Sequence, residues 1–284
     1  MYKRQENIGD DEVPASSTDV ALGSPAIQVV TGRGHSCALL AGGSVSCWGY
    51  GIYGQLGYPG TFWGSPPGLA DVGEPVVQLA AGWFHTCALL AAGNVRCWGY
   101  NGGGQLGYPG HSSDVGDDES PASLGNVPLD AKVVQLALNV STTCALLVDG
   151  EVRCWGGQHE GTDGLTRNLP IGGKVKQLAV GGPHTCALLT DGNVRCWGAG
   201  AKGQLGYGNA DDIRSDQLPP PLGNVEVGGK VVELAAGTEH TCALLEDGNI
   251  RCWGLNDDGQ LGYGHTENIG DDETPASAGD VPYR

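Results

Sequence analysis

The chain has 284 residues, 50 of them glycine, with 32 acidic against 15 basic residues and a formal net charge of −17. That acidity argues against nucleic acid or an anionic membrane as partner, since phosphate-rich surfaces require a basic face. No apolar run is long enough to span a bilayer as a helix, and no Ser-His-Asp order, phosphate loop or zincin motif occurs.

In chain order, residues 1–5 (Met-Tyr-Lys-Arg-Gln) look like a translated transposon sequencing adapter and are expected to be foreign to the protein. Residues 6–25 form a spare connecting segment whose Glu6–Glu12 stretch recurs almost unchanged at Glu267–Glu273. Five copies of one unit follow, at 26–75, 76–130, 131–173, 174–229 and 230–284. Each carries Cys-Ala-Leu-Leu and, ten residues after its cysteine, Cys-Trp-Gly. Units of this length built from short strands indicate a propeller or solenoid. Two equivalent connecting segments at opposite ends suggest an arc of a larger ring, with the natural start of the protein elsewhere.

The fourth copy shows the pattern. Val175, Gln177 and Ala179 alternate with Lys176, Leu178 and Val180 as a strand; Gly181-Gly182 turns the chain; His184–Leu189 is a second strand. Thr190-Asp191-Gly192 is a three-residue turn leading to a third strand at Asn193–Trp197, and such turns place a glycine at positive φ. If Leu189 faces Asn193, then Cys186 faces Cys196 at a non-hydrogen-bonded pair, where Cα atoms approach to about 4.5 Å. The same arithmetic pairs Cys37 with Cys47, Cys87 with Cys97, Cys144 with Cys154, and Cys242 with Cys252, using all ten cysteines. We therefore expect five intra-hairpin disulfides and an oxidising location: extracellular, cell-surface or periplasmic. Reduced core cysteines, or zinc held with the nearby histidines, are the alternatives.

Four copies continue into Gly-Gln-Leu-Gly, at Gly54, Gly104, Gly203 and Gly259. Together with His-Thr-Cys-Ala-Leu-Leu, Asp-Gly-Asn-Val and Trp-Gly, this resembles the regulator of chromosome condensation repeat family over residues 6–284. The resemblance implies an all-β propeller of four-stranded blades, about seven to a ring, of which five are present here. The cysteine-paired variety resembles secreted, tubulin-suppressor-like bacterial members. The third copy departs. It has Thr142 for the recurring histidine, Asn139 for the preceding glycine and no Gly-Gln-Leu-Gly, and its cysteine leads the next by only 42 residues against 57 and 56 for its neighbours. A thinner outer edge is expected there, with Asn139 tolerating a left-handed turn.

Functions within the family differ, and fold does not transfer them. The reading favoured here is a non-catalytic protein-binding module. A carbohydrate-active propeller and a guanine-nucleotide exchange factor for a small GTPase are the alternatives. The recurring histidines (His35, His85, His184, His240) are expected to be buried hydrogen-bonding groups, and the recurring tryptophans to pack between blades. Arg96, Arg153, Arg195 and Arg251 are expected to support the hairpins. The residues just before each histidine vary between copies and should emerge on one rim. Trp83 and Phe84 are the leading partner-binding candidates, with Arg33 and Glu239 flanking them and Phe62 and Trp63 in a second loop. Three acidic triplets, Asp10-Asp11-Glu12, Asp117-Asp118-Glu119 and Asp271-Asp272-Glu273, could contribute oxygens to calcium, although their spacing is not that of an EF-hand. The simpler reading is a solvated turn before the following proline.

Overall fold

The computed structural model describes residues 19–59, 64–157, 167–218 and 222–282. The adapter-like start, Asp10, Asp11, Glu12, Phe62 and Trp63 lie outside the described residues. Five antiparallel sheets follow one another along the chain. Blade 1 is β1 (Ala26–Thr31), β2 (His35–Leu40), β3 (Val45–Gly49) and β4 (Ser65–Ala70); blade 2 is β5 (Val76–Ala81), β6 (His85–Leu90) and β7 (Val95–Gly99). Blade 3 is β8 (Val133–Leu138), β9 (Thr142–Leu147), β10 (Val152–Gly156) and β11 (Arg167–Leu169). Blade 4 is β12 (Val175–Val180), β13 (His184–Leu189) and β14 (Val194–Gly198), and blade 5 is β15 (Val231–Ala236), β16 (His240–Leu245) and β17 (Ile250–Gly254).

Blades 2, 4 and 5 keep a fourth outer segment in reduced form. It pairs at one end through a single bridge, Gly99 with Val115, Gly198 with Ile213 and Gly254 with Ile269. Farther along, the N–H groups of Val127, Val225 and Val281 donate to the carbonyls of Val95, Val194 and Ile250. The acidic triplets of blades 2 and 5 lie in the excursion between these two anchors. Blade 3 is not thinner at its edge, contrary to expectation: Val152, Arg153 and Cys154 pair with Leu169, Asn168 and Arg167 of β11. Only residues 157–166 separate β10 from β11.

The hairpin geometry follows from its turn. Leu189 N–H donates to Asn193 O at 2.8 Å and Gly192 N–H to Leu189 O at 3.0 Å. Gly192 sits at φ +88°, a left-handed conformation that a side chain would strain. Leu188 then faces Val194, Ala187 faces Arg195 and Cys186 faces Cys196. The five expected disulfides are all present, with Cα–Cα separations of 4.0–4.1 Å. The inner strand departs from simple alternation. Val175 pairs with Leu189 but Gln177 with Leu188, so Lys176 is an extra, bulged residue, and every blade repeats the shift. The bulge turns Ile27, Val77 and Val134 outward while the strand beyond them stays in register.

Blades stack face to face, so the central strand β6 is buried along its whole length. The core is a series of inter-blade layers, one set joining blades 1–3 and another joining blades 3–5. A glutamine bridges each described junction. Gln28 Nε2–H donates to Leu79 O at 2.9 Å while Leu79 N–H donates to Gln28 Oε1 at 2.8 Å. Gln78, Gln135 and Gln177 do the same to Leu136, Leu178 and Leu234. Both amide atoms are satisfied on the neighbouring backbone, which locks adjacent blades in register. No helix among the described residues is long and apolar enough to cross a membrane.

Candidate partner-binding face

Three of the four recurring histidines, His35, His85 and His184, are junction clasps. His35 Nε2 lies 2.9 Å from Thr86 Oγ1 of the next blade, and Thr86 O–H donates to Gln55 O at 3.1 Å. Because the hydroxyl proton is committed to that carbonyl, His35 must be the donor, through a neutral Nε2–H ring. His85, Thr143 and Gln105 repeat the chain, as do His184, Thr241 and Gln204. The same glutamine carbonyls accept Trp98, Trp155 and Trp253 Nε1–H. Burial lowers the histidine pKa to about 4 at His35 and His184 and to about 3 at His85, where the nearby His35 adds to it. A ring that donates to its hydroxyl neighbour cannot take that neighbour's proton, so these pairs are not nucleophile and base.

The glycine before each histidine serves this packing, and not a left-handed turn: among the described residues Asp130 is the one residue other than glycine at positive φ, and neither Gly82 nor Asn139 is among the positive-φ residues. A Cβ on Gly82 would overlap the His85 ring and the Asn139 carbonyl. This corrects the reason given above for Asn139. With Thr142 in place of a histidine there is no ring to accommodate, and Asn139 Oδ1 instead accepts the N–H groups of Ser141 at 3.2 Å and Thr142 at 2.8 Å. Gly82→Ala is therefore expected to cost about 1–3 kcal/mol by overpacking, measured by urea unfolding. Adding His85→Thr should recover only part of the loss, because the Asn139 carbonyl remains in the way.

The arginines support the outer edge, as expected. Arg96 donates to Val72 O, to Asn126 Oδ1 at 3.0 Å and to Glu74 at 2.8 Å. Arg153, Arg195 and Arg251 make the corresponding links to Asn168, Asn224 and Asp280.

One loop face breaks the repeat. Arg33 stacks its guanidinium 4.7 Å from the Trp83 ring centroid and 5.8 Å from that of Phe84, within cation–π range. Phe84 contacts Trp83, Tyr50 and Tyr53 at centroid separations of 6.4, 6.3 and 5.3 Å, and Tyr53 reaches Tyr100 at 5.1 Å. Trp83 is 39% and Tyr100 37% exposed, the aromatic members of the exposed large hydrophobic side chains among the described residues. The structure thus brings Arg33, Trp83 and Phe84 together across blades 1 and 2 and adds three tyrosines. Glu239 lies apart, beside a cavity at blades 3–5 that Trp83 borders from the other side.

The two described acidic triplets each bring three carboxylate oxygens within 4.8 Å of one another. Burial, together with a hydrogen bond to Asp272 and the charges of Asp272 and Asp271, raises Glu273 to about 7; Glu119 is raised for the same reasons beside Asp118 and Asp117. Three oxygens supply about half of the six to eight that calcium takes.

A family model described as regulator of chromosome condensation (RCC1) repeat matches residues 26–55, 76–105, 133–162, 175–204 and 231–260, and a second of the same description matches 42–89 and 191–244. The secretion-regulating guanine nucleotide exchange factor of Bos taurus is 37% identical over 67 residues, 24% of this chain and 14% of that protein. Among solved structures, human WBSCR16 superposes with TM-score 0.73 at 27% identity over 86% of this chain and 65% of that one. Yeast RCC1 (Prp20), solved with Kap60 bound, gives 0.72 at 23% over 96% and 64%. The chain therefore spans a seventh of the bovine protein and just under two thirds of the two solved chains. The matched repeats take in every blade, with its hairpin and histidine position: the chain belongs to the regulator of chromosome condensation (RCC1) repeat family.

Proposed function

We propose that this chain is a non-catalytic protein-binding module that works outside the reducing cytoplasm and meets its partner through the aromatic face of blades 1 and 2. The observation that carries the reading is the half-exposed cluster of Arg33, Trp83, Phe84, Tyr50, Tyr53 and Tyr100. Trp, Tyr and Arg dominate binding energy at protein interfaces, and a pre-stacked cluster loses little freedom when covered. Three of the four recurring histidines, His35, His85 and His184, are consumed by the clasp, which supports the non-catalytic reading. The five disulfides support an oxidising compartment. Similarity to the bovine exchange factor favours a second reading, nucleotide exchange on a small GTPase, over the 67 residues it covers.

The test compares the native chain with Trp83→Ala/Tyr100→Ala in crosslinking capture from the oxidising compartment of its source, followed by titration of the captured protein. Affinity should fall at least 30-fold, about 2 kcal/mol, at an unchanged melting temperature. Equal capture by both chains would refute the face, and accelerated GDP release from a GTPase panel would favour the second reading.

A further inference from the structure

Asn139-Val140-Ser141 is the one place in the chain where an asparagine is followed, two residues on and with no proline between, by serine or threonine. It forms the loop tip between β8 and β9. The other four copies have Gly32-Arg33-Gly34, Gly82-Trp83-Phe84, Gly181-Gly182-Pro183 and Gly237-Thr238-Glu239 there. A Cβ on any of those leading glycines would come within 2.2–2.3 Å of the histidine ring that follows. Thr142 takes that ring away, so copy 3 is the copy whose tip has room for a side chain at this position. The same copy alone supplies a hydroxyl two residues later.

The two halves of the Asn139 amide are used differently. Its Oδ1 accepts the N–H groups of Ser141 at 3.2 Å and Thr142 at 2.8 Å. Its Nδ2 makes no hydrogen bond among the described residues. Asn139, Val140 and Ser141 are each half-buried, and Asn139 stands with Arg33 and Trp83 at the mouth where the inner strands of all five blades converge.

We propose that Asn139 is an acceptor site for an N-linked oligosaccharide. The proposal rests on the reading that the chain passes through an oxidising, secretory compartment, where Asn-x-Ser is the acceptor pattern. In the transfer, Nδ2 gives up a proton and forms a bond to the anomeric carbon of a polyprenyl-pyrophosphate-linked oligosaccharide. The bond from that carbon to the pyrophosphate oxygen breaks, and the polyprenyl pyrophosphate leaves with the electron pair. The fold accommodates the product, because substitution at Nδ2 replaces an N–H that has no partner and leaves Oδ1 to keep both turn bonds. The sugar sets a hydrophilic boundary on blade 3 beside the aromatic face of blades 1 and 2.

The test secretes the full chain behind a leader from a glycosylating eukaryotic host and reads its intact mass without reduction. One oligosaccharide should be present, removed by peptide N-glycosidase with an Asn139→Asp change in the peptide map. Ser141→Ala should abolish it while keeping the turn, since only the backbone N–H of residue 141 meets Oδ1; Ser141→Thr should retain it. The glycosylated chain and Ser141→Ala should melt at the same temperature. Five disulfides with a bare Asn139 would overturn the site and leave the compartment reading standing. A glycosylated chain with free thiols would support the site and sink the disulfide basis of that reading. A sugar that lowers the melting temperature by several degrees would show that the fold does not accommodate it, and would also overturn the proposal. If the chain is retained in the cell, translation with microsomes reads occupancy directly, and an unmodified product there decides against the site.

Discussion

Replacing Cys87 and Cys97 together by alanine is expected to lower the melting temperature by roughly 5–10 °C, and losing all five bridges should leave the chain unable to fold cooperatively at 37 °C. Each bridge closes a loop with a sequence separation of 10. Loop-closure entropy for so short a loop is worth about 2–3 kcal/mol, and each kcal/mol moves the melting point of a domain this size by about 2–4 °C. Five such terms approach the whole stability of an ordinary domain. The sulfurs also occupy the inter-blade layer: Cys37 and Cys186 lie 4.0 and 3.8 Å from the Thr86 and Thr241 hydroxyls of the following blades. Alanine there leaves a cavity as well as a longer free chain, which adds to the cost. Reduction should follow exposure. Eight of the ten cysteines are completely buried, whereas Cys242 is half-buried and Cys252 is 5% exposed. Pulse alkylation under limiting dithiothreitol should therefore trap Cys242 and Cys252 first. A double-alanine variant that melts within a degree or two of the native chain, or release of a central pair before blade 5, would contradict this account.

The hairpin was readable from sequence because everything that determines it is local. A glycine three residues past the strand sets the turn, the turn sets the register, and the register places the cysteines opposite one another. The reasons for the junction residues were not readable, because their partners lie about fifty residues away. The glycine before each histidine resembled a turn glycine until the histidine ring was seen over it. The coupled change to Asn139 and Thr142 then became one event where the sequence showed two. Alternation in the inner strand was broken by a bulge that period-two reasoning does not anticipate. At the aromatic face, Trp83, Phe84 and Arg33 stood out as variable residues at a fixed phase, and the tyrosines were missed. A signal for two of them existed: Tyr50 and Tyr100 directly follow Cys-Trp-Gly in the first two copies, where the other three have Gly157, Ala199 and Leu255. Comparing copies at that phase would have placed them beside the histidine loops of the same blades.

Below pH 6.5 the three fully clasped histidines should destabilise the fold. An unfolded histidine titrates near 6.5, while His35 and His184 titrate near 4 and His85 near 3 when folded. Folding is then supported in full above pH 6.5, and the support drains away as pH falls toward the folded values, because the unfolded chain binds protons that the native chain refuses. Each ring contributes a slope of up to about 1.4 kcal/mol per pH unit, on the order of 3 kcal/mol in all. Charge on any of them would also oppose a ring that already donates its Nε2–H and whose Nδ1 is buried without a partner. Two effects run the other way. Protonating carboxylates relieves the repulsion of a −17 chain, and Glu273, raised to about 7, favours folding most where it is neutral. Raw stability against pH therefore mixes opposing terms, and the difference between two chains isolates the clasp. His85→Gln keeps a donor toward Thr143 without titrating. Its urea-unfolding free energy, subtracted from that of the native chain at each pH, should be flat above 7 and shift in favour of the variant by about 1 kcal/mol or more per unit between pH 6 and 4.5. A flat difference throughout that window would mean that His85 takes up its proton without disturbing the junction, and the clasp would then be packing alone.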